Sequence, residues 1–396
     1  MNATANIRPR LAIVQHGDYP SAYQTFIADD PESYAGMKKT VGALEDLMAG
    51  TEFLLISLDG GFYCSAHQSG TLIGLPPHQL PRFIPRRFAA AWQRRRVLAE
   101  IRRFKPTHLL IRTCGQLANE LLEYGSSENI QCQVIFANVF DPQRRNDTST
   151  RQLIGLLNQP FVQRVANHLQ PAVDSMLECG LSPQKAVAYD VDLPEQTMMP
   201  EAKSFKRGEQ CRLVFAGSLL FSKGCEDVLL ATVELRRRGV PACLSIYGDG
   251  HHRRRLTQIA TPLPAGMITF HGRQPNELIV RAMRDSTFVC VTSHREFPEG
   301  MPLTLKEALG TRSPVIASNH PVFVRAFQAG EGLRFVEEKQ PQRIADAVEQ
   351  LWSDPAEYRR LSETTTQALD RVSCRTKLSS LLKDWAQTFK ADQPTN

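Results

Sequence analysis

Short apolar runs bounded by polar or glycine-bearing turns recur along the chain, at 11–15, 53–58, 108–111, 134–137 and 186–189. Runs of this length read as strands buried on both faces, and the longer stretches between them, such as 37–48, carry the spacing of helices. Parallel neighbours need crossover connections, which are usually helical, so this alternation predicts a parallel sheet covered on both sides. A polar stretch at 193–210, containing Pro194, Pro200 and Gly208, interrupts the pattern and reads as a domain boundary. Beyond it the alternation resumes. Strands are expected at 212–216, 243–247, 268–271, 288–292 and 315–317, and helices at 226–238, from Arg253, at 276–284 and at 303–309.

The expected layout is therefore an N-terminal Rossmann-like domain over 1–193, a second over 194–375, and a C-terminal helix within 376–396 that this layout allows to cross back to the first. Both are doubly wound α/β sheets. In such pairs ligands gather outside the carboxyl ends of the strands, so chemistry is sought there.

Composition narrows the classes. With 396 residues, 42% of them apolar and 22% charged, the chain exceeds what one core supports and fits a globular protein, not a disordered or fibrous one. No window approaches 18 uninterrupted apolar residues, and the start, MNATANIRPRLAIVQ, lacks the apolar stretch of a secretory signal, so a cytoplasmic location is expected. Nine cysteines without a CxxC pair read as reduced core residues, not as a disulfide or zinc framework. The formal charge is +6, unevenly spread: the segment 82–105 holds nine basic side chains and one acidic, Glu100.

Candidate chemistry clusters after the expected strand 288–292, in SHREFPEGMPLTLKEALGTRSPVIAS. Glu299 and Glu307 stand eight positions apart, and Pro302 suits a helix's first turn, where its missing N–H costs nothing. Glu299 then lies in a loop and Glu307 in the helix. The amides of Gly300, Met301, Leu303 and Thr304 are left at the helix entrance, where an anion is stabilised. A second stretch, VFAGSLLFSKG, puts Gly217, Ser218, Lys223 and Gly224 after the strand 212–216, where glycine permits close approach and an ammonium suits a diphosphate. A third, LSIYGDGHH, ends a strand in Gly248 and Gly250 but lacks the third glycine and the acidic residue of a dinucleotide site.

In order and spacing these pieces resemble the retaining glycosyltransferases of family 4, whose fold is GT-B, two doubly wound domains facing across a cleft. The resemblance rests on 217–224, 247–250, 270–273 before Glu277 and Leu278, and the E-x7-E pair Glu299 and Glu307 followed by Ala308, Pro314 and Val315, about 110 residues in all. It implies that Glu307 holds the donor's ribose, that Glu299 lies by the donor sugar, and that Lys223 binds the diphosphate. Gly217, Ser218, Gly248 and Arg273 fall on the same donor site, and Gly36 on the N-terminal glycine loop that approaches the phosphates. The sequence departs from the family pattern in two places: Ser218 stands where an arginine is usual, and Asn319, His320 and Pro321 replace a glycine pair.

The N-terminal half is the expected acceptor side. After the first strand, 16–36 reads as a long loop, and loops of that length in a compact domain are often functional. His16 and Asp18 follow a strand's carboxyl end, so His16 is a candidate catalytic group; a satisfied histidine in a capped turn is the other reading. Asn138 and Asp141 stand where the family's N-domain histidine is expected. Asp190 and Asp192 precede the linker. In 82–105, Phe83, Ile84, Phe88, Trp92 and Val97 partly follow helical spacing. One face of the helix then either packs on the domain or lies on lipid; an anionic membrane surface, to which each arginine contributes ~1 kcal/mol, is the favoured reading and a solvated helix the other. Nucleic acid attracts the same charges, but no aromatic stacking platform accompanies them.

The expected activity is transfer of a sugar from a nucleotide sugar to a hydroxyl of a saccharide or lipid-linked acceptor, with retention, in polysaccharide or glycan synthesis. No metal or other cofactor is expected, since no His and carboxylate cluster stands out. The enzyme would sit in the cytoplasm or peripherally on the inner face of the plasma membrane. The alternative is a catalytically inactive scaffold or partner that keeps the fold, an idea prompted by Ser218.

Overall fold

A computed structural model describes residues 9–79, 85–191, 193–206 and 208–391. The chain divides into two compact units. The described residues up to Asp30, those of 37–190 and those from Cys374 onward form the first, and those of 31–36 and 191–373 the second.

The first unit runs β1 (Arg10–Gln15), α1 (Tyr19–Ile27), α2 (Met37–Met48), β2 (Glu52–Ser57), β3 (Tyr63–His67), β4 (Gly70–Gly74), α3 (Arg86–Phe104), β5 (His108–Arg112), α4 (Gly115–Ser127), β6 (Gln131–Phe136), α5 (Thr148–Leu157), β7 (Val162–His168), α6 (Gln170–Glu178) and β8 (Ala186–Tyr189). Its sheet has the order β3-β4-β2-β1-β5-β6-β7-β8. Every pairing is parallel except the edge hairpin β3–β4. β1, β2 and β5 are buried almost throughout, as strands covered on both faces must be. The chain moves outward from β1 to β2 and β4, then returns to β5 on the other side of β1. The strand order therefore reverses between β1 and β5, the place where open α/β sheets leave a crevice.

The second unit runs β9 (Cys211–Ala216), α7 (Cys225–Arg237), β10 (Ala242–Tyr247), α8 (Arg253–Ala260), β11 (Ile268–Gly272), α9 (Asn276–Asp285), β12 (Phe288–Val291), α10 (Leu303–Gly310), β13 (Val315–Ser318), α11 (Pro321–Ala326), β14 (Leu333–Val336), α12 (Pro341–Ser353), α13 (Pro355–Glu363) and α14 (Thr365–Val372). Its all-parallel sheet has the order β11-β10-β9-β12-β13-β14. The last helix, α15 (Leu378–Ala391), belongs to the first unit, where Leu381, Leu382, Trp385 and Phe389 are buried.

Two sequence expectations need correction. The segment 16–36 is not one long loop, because α1 occupies nine of its residues. Pro20 sits in its first turn with φ already helical, and at helical spacing Tyr19 stacks on Tyr23, whose ring lies tilted against Phe26. The basic stretch forms a helix, α3, whose apolar stripe packs on the domain, one of the two placements expected for it. Val97 and Ile101 are fully buried in the core and Trp92 packs against it, which leaves Phe88 as the exposed aromatic. Arg82, Phe83 and Ile84, like Asp192 further on, lie outside the described residues. Finally, all nine cysteines are free, as expected, but Cys64 and Cys114 are exposed instead of being core residues. Among the described residues no helix is long and apolar enough to cross a membrane.

Candidate functional site

In the second unit the strands β9 and β12 lie side by side, so the turns that follow them meet. The turn after β9 carries Lys223 and ends at Gly224, which has φ +73. A Cβ there would stand 2.1 Å from the Thr292 carbonyl, so only glycine lets the two turns close on each other. Thr292 Oγ donates to the Gly224 carbonyl (3.0 Å) and the His294 amide to the Ser222 carbonyl (2.8 Å). Beneath them the buried His294 Nε2 pairs with Asp227 at the start of α7 (2.7 Å).

This seam aims Lys223 at Glu299. Its Nζ donates to Glu299 Oε1 at 2.5 Å, Ser293 Oγ donates to the same oxygen at 2.5 Å, and the ammonium rides over the Phe297 ring, 4.0 Å from its centroid. Glu299 is 5% exposed, and a carboxylate so far from water needs such partners. His320 donates from Nε2 to the Phe297 carbonyl (3.0 Å) and accepts the Val322 amide at Nδ1 (3.3 Å), which fixes the neutral tautomer. Burial pushes its pKa below the usual histidine value, in keeping with that role.

Immediately after Glu299 the chain turns into α10. Among the described residues the amides of Gly300, Met301, Leu303 and Thr304 have no acceptor, and Pro302 has no N–H. No side chain caps the helix, so its entrance presents donors. Thr304 Oγ donates to the Ala216 carbonyl (3.3 Å), tying that entrance to the end of β9.

The second glutamate has separate partners. Glu307 is buried and accepts from Asn276 Nδ2 at 2.7 Å. Desolvation raises its pKa above the ordinary carboxyl value, with the Asn276 bond opposing the rise. The Asn276 amide in turn donates to the Glu32 carbonyl (2.7 Å), and the Glu32 side chain accepts from the Gly36 amide (3.1 Å). Gly36 thus lies in the short segment grouped with the second unit, two hydrogen bonds from the residue that holds Glu307.

The remaining sequence candidates stand as follows. Gly217 and Gly248 lie against each other: a Cβ on Gly248 would meet the Gly217 carbonyl at 1.9 Å, so the approach this glycine permits is between two protein turns. Ser218 and Arg273 are exposed. Arg295, which follows β12, is bound to Glu338 at 3.2 Å and so does not supply the charge absent at Ser218. His16, in the first unit, lies just past β1 with Nδ1 3.1 Å from Asp59 and Nε2 3.2 Å from Thr113 Oγ. Ser293, Asn276 and the His294–Asp227 pair were not singled out by sequence reasoning. Their one signal was position, directly after a strand or at a helix start.

A 470 Å³ groove also runs along α9, lined by Gln196, Thr197, Asn276, Val280, Arg281 and Arg284 among others. It includes neither Lys223 nor Glu299, and convergent side-chain chemistry marks the seam more firmly than volume does.

Residues 200–368 match the model of the family described as Glycosyl transferases group 1. The matched span falls within the second unit. A relative, the UDP-N-acetylglucosamine–peptide N-acetylglucosaminyltransferase GtfA subunit of Streptococcus parasanguinis, is 30% identical over 178 residues. The match covers 44% of this chain and 30% of the relative, so the chain spans under a third of that protein's length. Two solved structures are similar along nearly the whole chain. Anabaena HepE in complex with UDP has a TM-score of 0.62 at 13% identity, covering 97% of this chain and 100% of that one. The sucrose-phosphate synthase of Thermosynechococcus elongatus has a TM-score of 0.64 at 15% identity, covering 97% and 99%. At such identity the likeness is one of fold, and the fold is GT-B. The span similar to that family contains Lys223, Glu299 and Glu307.

Proposed function

We propose that this chain is a retaining glycosyltransferase of the family 4 type, moving a sugar from a nucleotide-sugar donor to a hydroxyl of a saccharide or lipid-linked acceptor. The observation that carries the reading is the convergence of the Lys223 ammonium and the unpaired amides of 300–304 inside the span similar to the group 1 glycosyl transferases. Negative charge grows on the diphosphate as the glycosidic bond breaks. Donors already fixed in place stabilise that charge without reorganising. Glu299 holds the ammonium at the seam and stands beside the donor sugar, and Glu307 grips the ribose diol. Gly217, Ser218, Gly248, Arg273 and Gly36 complete the donor site. The acceptor hydroxyl attacks from the face the diphosphate leaves, so no covalent nucleophile is required and the anomeric configuration is kept; His16 belongs to the acceptor side. No metal is required, because the fixed donors meet the diphosphate charge.

Structural neighbours whose descriptions name a nucleotide name UDP, which makes UDP sugars the first donors to test. Melting the protein with UDP, GDP, ADP and their sugars is the test of donor binding, since a ligand at 100 times its Kd adds ~2.7 kcal/mol. Stabilisation by none of them removes the proposal. NMR of the product of a productive pair checks retention.

The inactive-partner reading keeps one specific support: Ser218 is exposed where the family has arginine, and Arg295 is engaged elsewhere. Nucleotide binding without sugar release in any donor and acceptor pairing would select it. We also propose peripheral membrane attachment of a cytoplasmic protein through the arginine face of α3, because Arg95, Arg96, Arg102 and Arg103 are exposed. Co-sedimentation with anionic but not neutral vesicles, lost in high salt, is the expected result.

A further inference from the structure

The crevice between β1 and β5 in the first unit holds a cavity of 260 Å³. Its lining comes from the carboxyl ends of four strands and the residues that follow them: Gln15 and His16 at the end of β1, Arg112 to Cys114 at the end of β5, 135–138 at the end of β6, and Tyr189 at the end of β8. Such a position is where an open α/β sheet receives a ligand, and the cavity has room for a small polar group.

Its charge is one-sided. Arg112 is the one Lys, Arg, Asp or Glu side chain among the lining residues, and a guanidinium cannot be neutralised at any physiological pH. Gln15, itself 5% exposed, accepts from Arg112 Nη1 at 2.7 Å and so fixes the fork. Among the described residues the other guanidinium donors have no acceptor, and Arg112 lines the cavity. The nearby carboxylate, Asp59, is engaged by His16 and by the Gly17 amide (3.0 Å), and it does not line the cavity. Thr113 and Cys114 lead directly into α4, thirteen residues long and without a side-chain cap, which adds positive potential at the same place.

We propose that this cavity binds an oxyanion carried by the acceptor, the carboxylate of a uronic acid or the phosphate of a sugar phosphate, with Arg112 as its reader. The inference rests on the glycosyltransferase reading and deepens it by naming an acidic acceptor. A guanidinium fork recognises either anion bidentately, whereas a neutral sugar would leave it desolvated and unmatched.

The test is direct binding by calorimetry, without turnover, on the full chain with and without UDP. Glucuronic acid and glucose 6-phosphate are compared with glucose. The expected result is at least tenfold tighter binding of one acid than of glucose, competed by inorganic phosphate. The tighter of the two acids tells carboxylate from phosphate. In Arg112→Gln that preference should vanish while the UDP-induced rise in Tm is unchanged, and Arg112→Lys should recover only part of it. Equal binding of all three sugars by the wild-type protein, or a preference that survives in Arg112→Gln, overturns the proposal. The wild-type comparison and the phosphate competition decide the matter even if the variants fail to fold. UDP binding without acid preference sinks this inference alone, whereas acid preference without any nucleotide binding sinks the donor reading.

Discussion

At the scale of single residues, buried charge governs what can be tested. Glu307 has its pKa raised by desolvation, so the folded state favours the protonated carboxyl. Its contribution to stability is present below the unfolded carboxyl pKa and is lost as pH rises through the raised folded value. Glu307→Gln keeps an acceptor for Asn276 without a charge to bury. It should therefore melt higher than wild type at pH 8 and equally at pH 4, in circular dichroism melts at both values, with ~2–4 °C expected for each kcal/mol relieved. The same variant should bind nucleotide more weakly at pH 8, because a neutral amide grips a diol less well than a carboxylate. Lys203 poses the opposite case. Burial pushes its pKa down to about 7, yet its Nζ donates to the Met283 and Ser286 carbonyls and to Ser313 Oγ, at 2.6, 3.0 and 2.7 Å. Lys203→Met leaves two carbonyls and a hydroxyl without that donor, and should cost ~1–3 kcal/mol in urea unfolding with nucleotide binding unaltered once folded.

At the scale of elements, the turn that carries Lys223 is decided by Gly224. Gly224→Ala faces both a left-handed backbone, worth ~1–2 kcal/mol, and a clash with the Thr292 carbonyl, whereas Gly239, with φ +87, has nothing within 4 Å of an added Cβ. The urea midpoint should fall further for Gly224→Ala than for Gly239→Ala, and the former alone should weaken nucleotide binding. In α3, Ile101→Ala should cost ~2–5 kcal/mol as a fully buried side chain, while Arg95→Gln should leave stability within ~0.5 kcal/mol. Periodicity placed 37–48, 186–189 and the strands beneath Lys223 and Glu299 because each carries an apolar run of its own. It missed β7, whose run is broken by Gln163, Arg164 and Asn167; the structure buries Asn167 by letting its side chain donate to the Asn138 carbonyl (2.9 Å). It missed β3 because an edge hairpin with exposed side chains needs no apolar pattern. It read α3 as amphipathic from single positions such as Trp92 and Val97, but which of them met the core depended on how the helix is rolled onto its sheet.

At the scale of the whole molecule, the last helix is grouped with the first unit although it follows the second in the chain. Removing 374–396 takes Leu381, Leu382, Trp385 and Phe389 from their packing beside α2. Calorimetry should show one transition moved down and the other, together with the nucleotide response, in place. Loss of both transitions would mean the units unfold as one. What the order of residues determined by itself was the βα alternation in two halves and the ends of strands where chemistry gathers, since both follow from local periodicity and from glycine, proline and charge at fixed offsets. The tertiary structure alone decided that Glu299 pairs with Lys223 and Ser293 while Glu307 turns to Asn276, and that Arg112 and His16 share one cavity. Those partners are 6 to 96 positions apart in the chain, and only strand order and helix packing bring them within a hydrogen bond or a cavity's width.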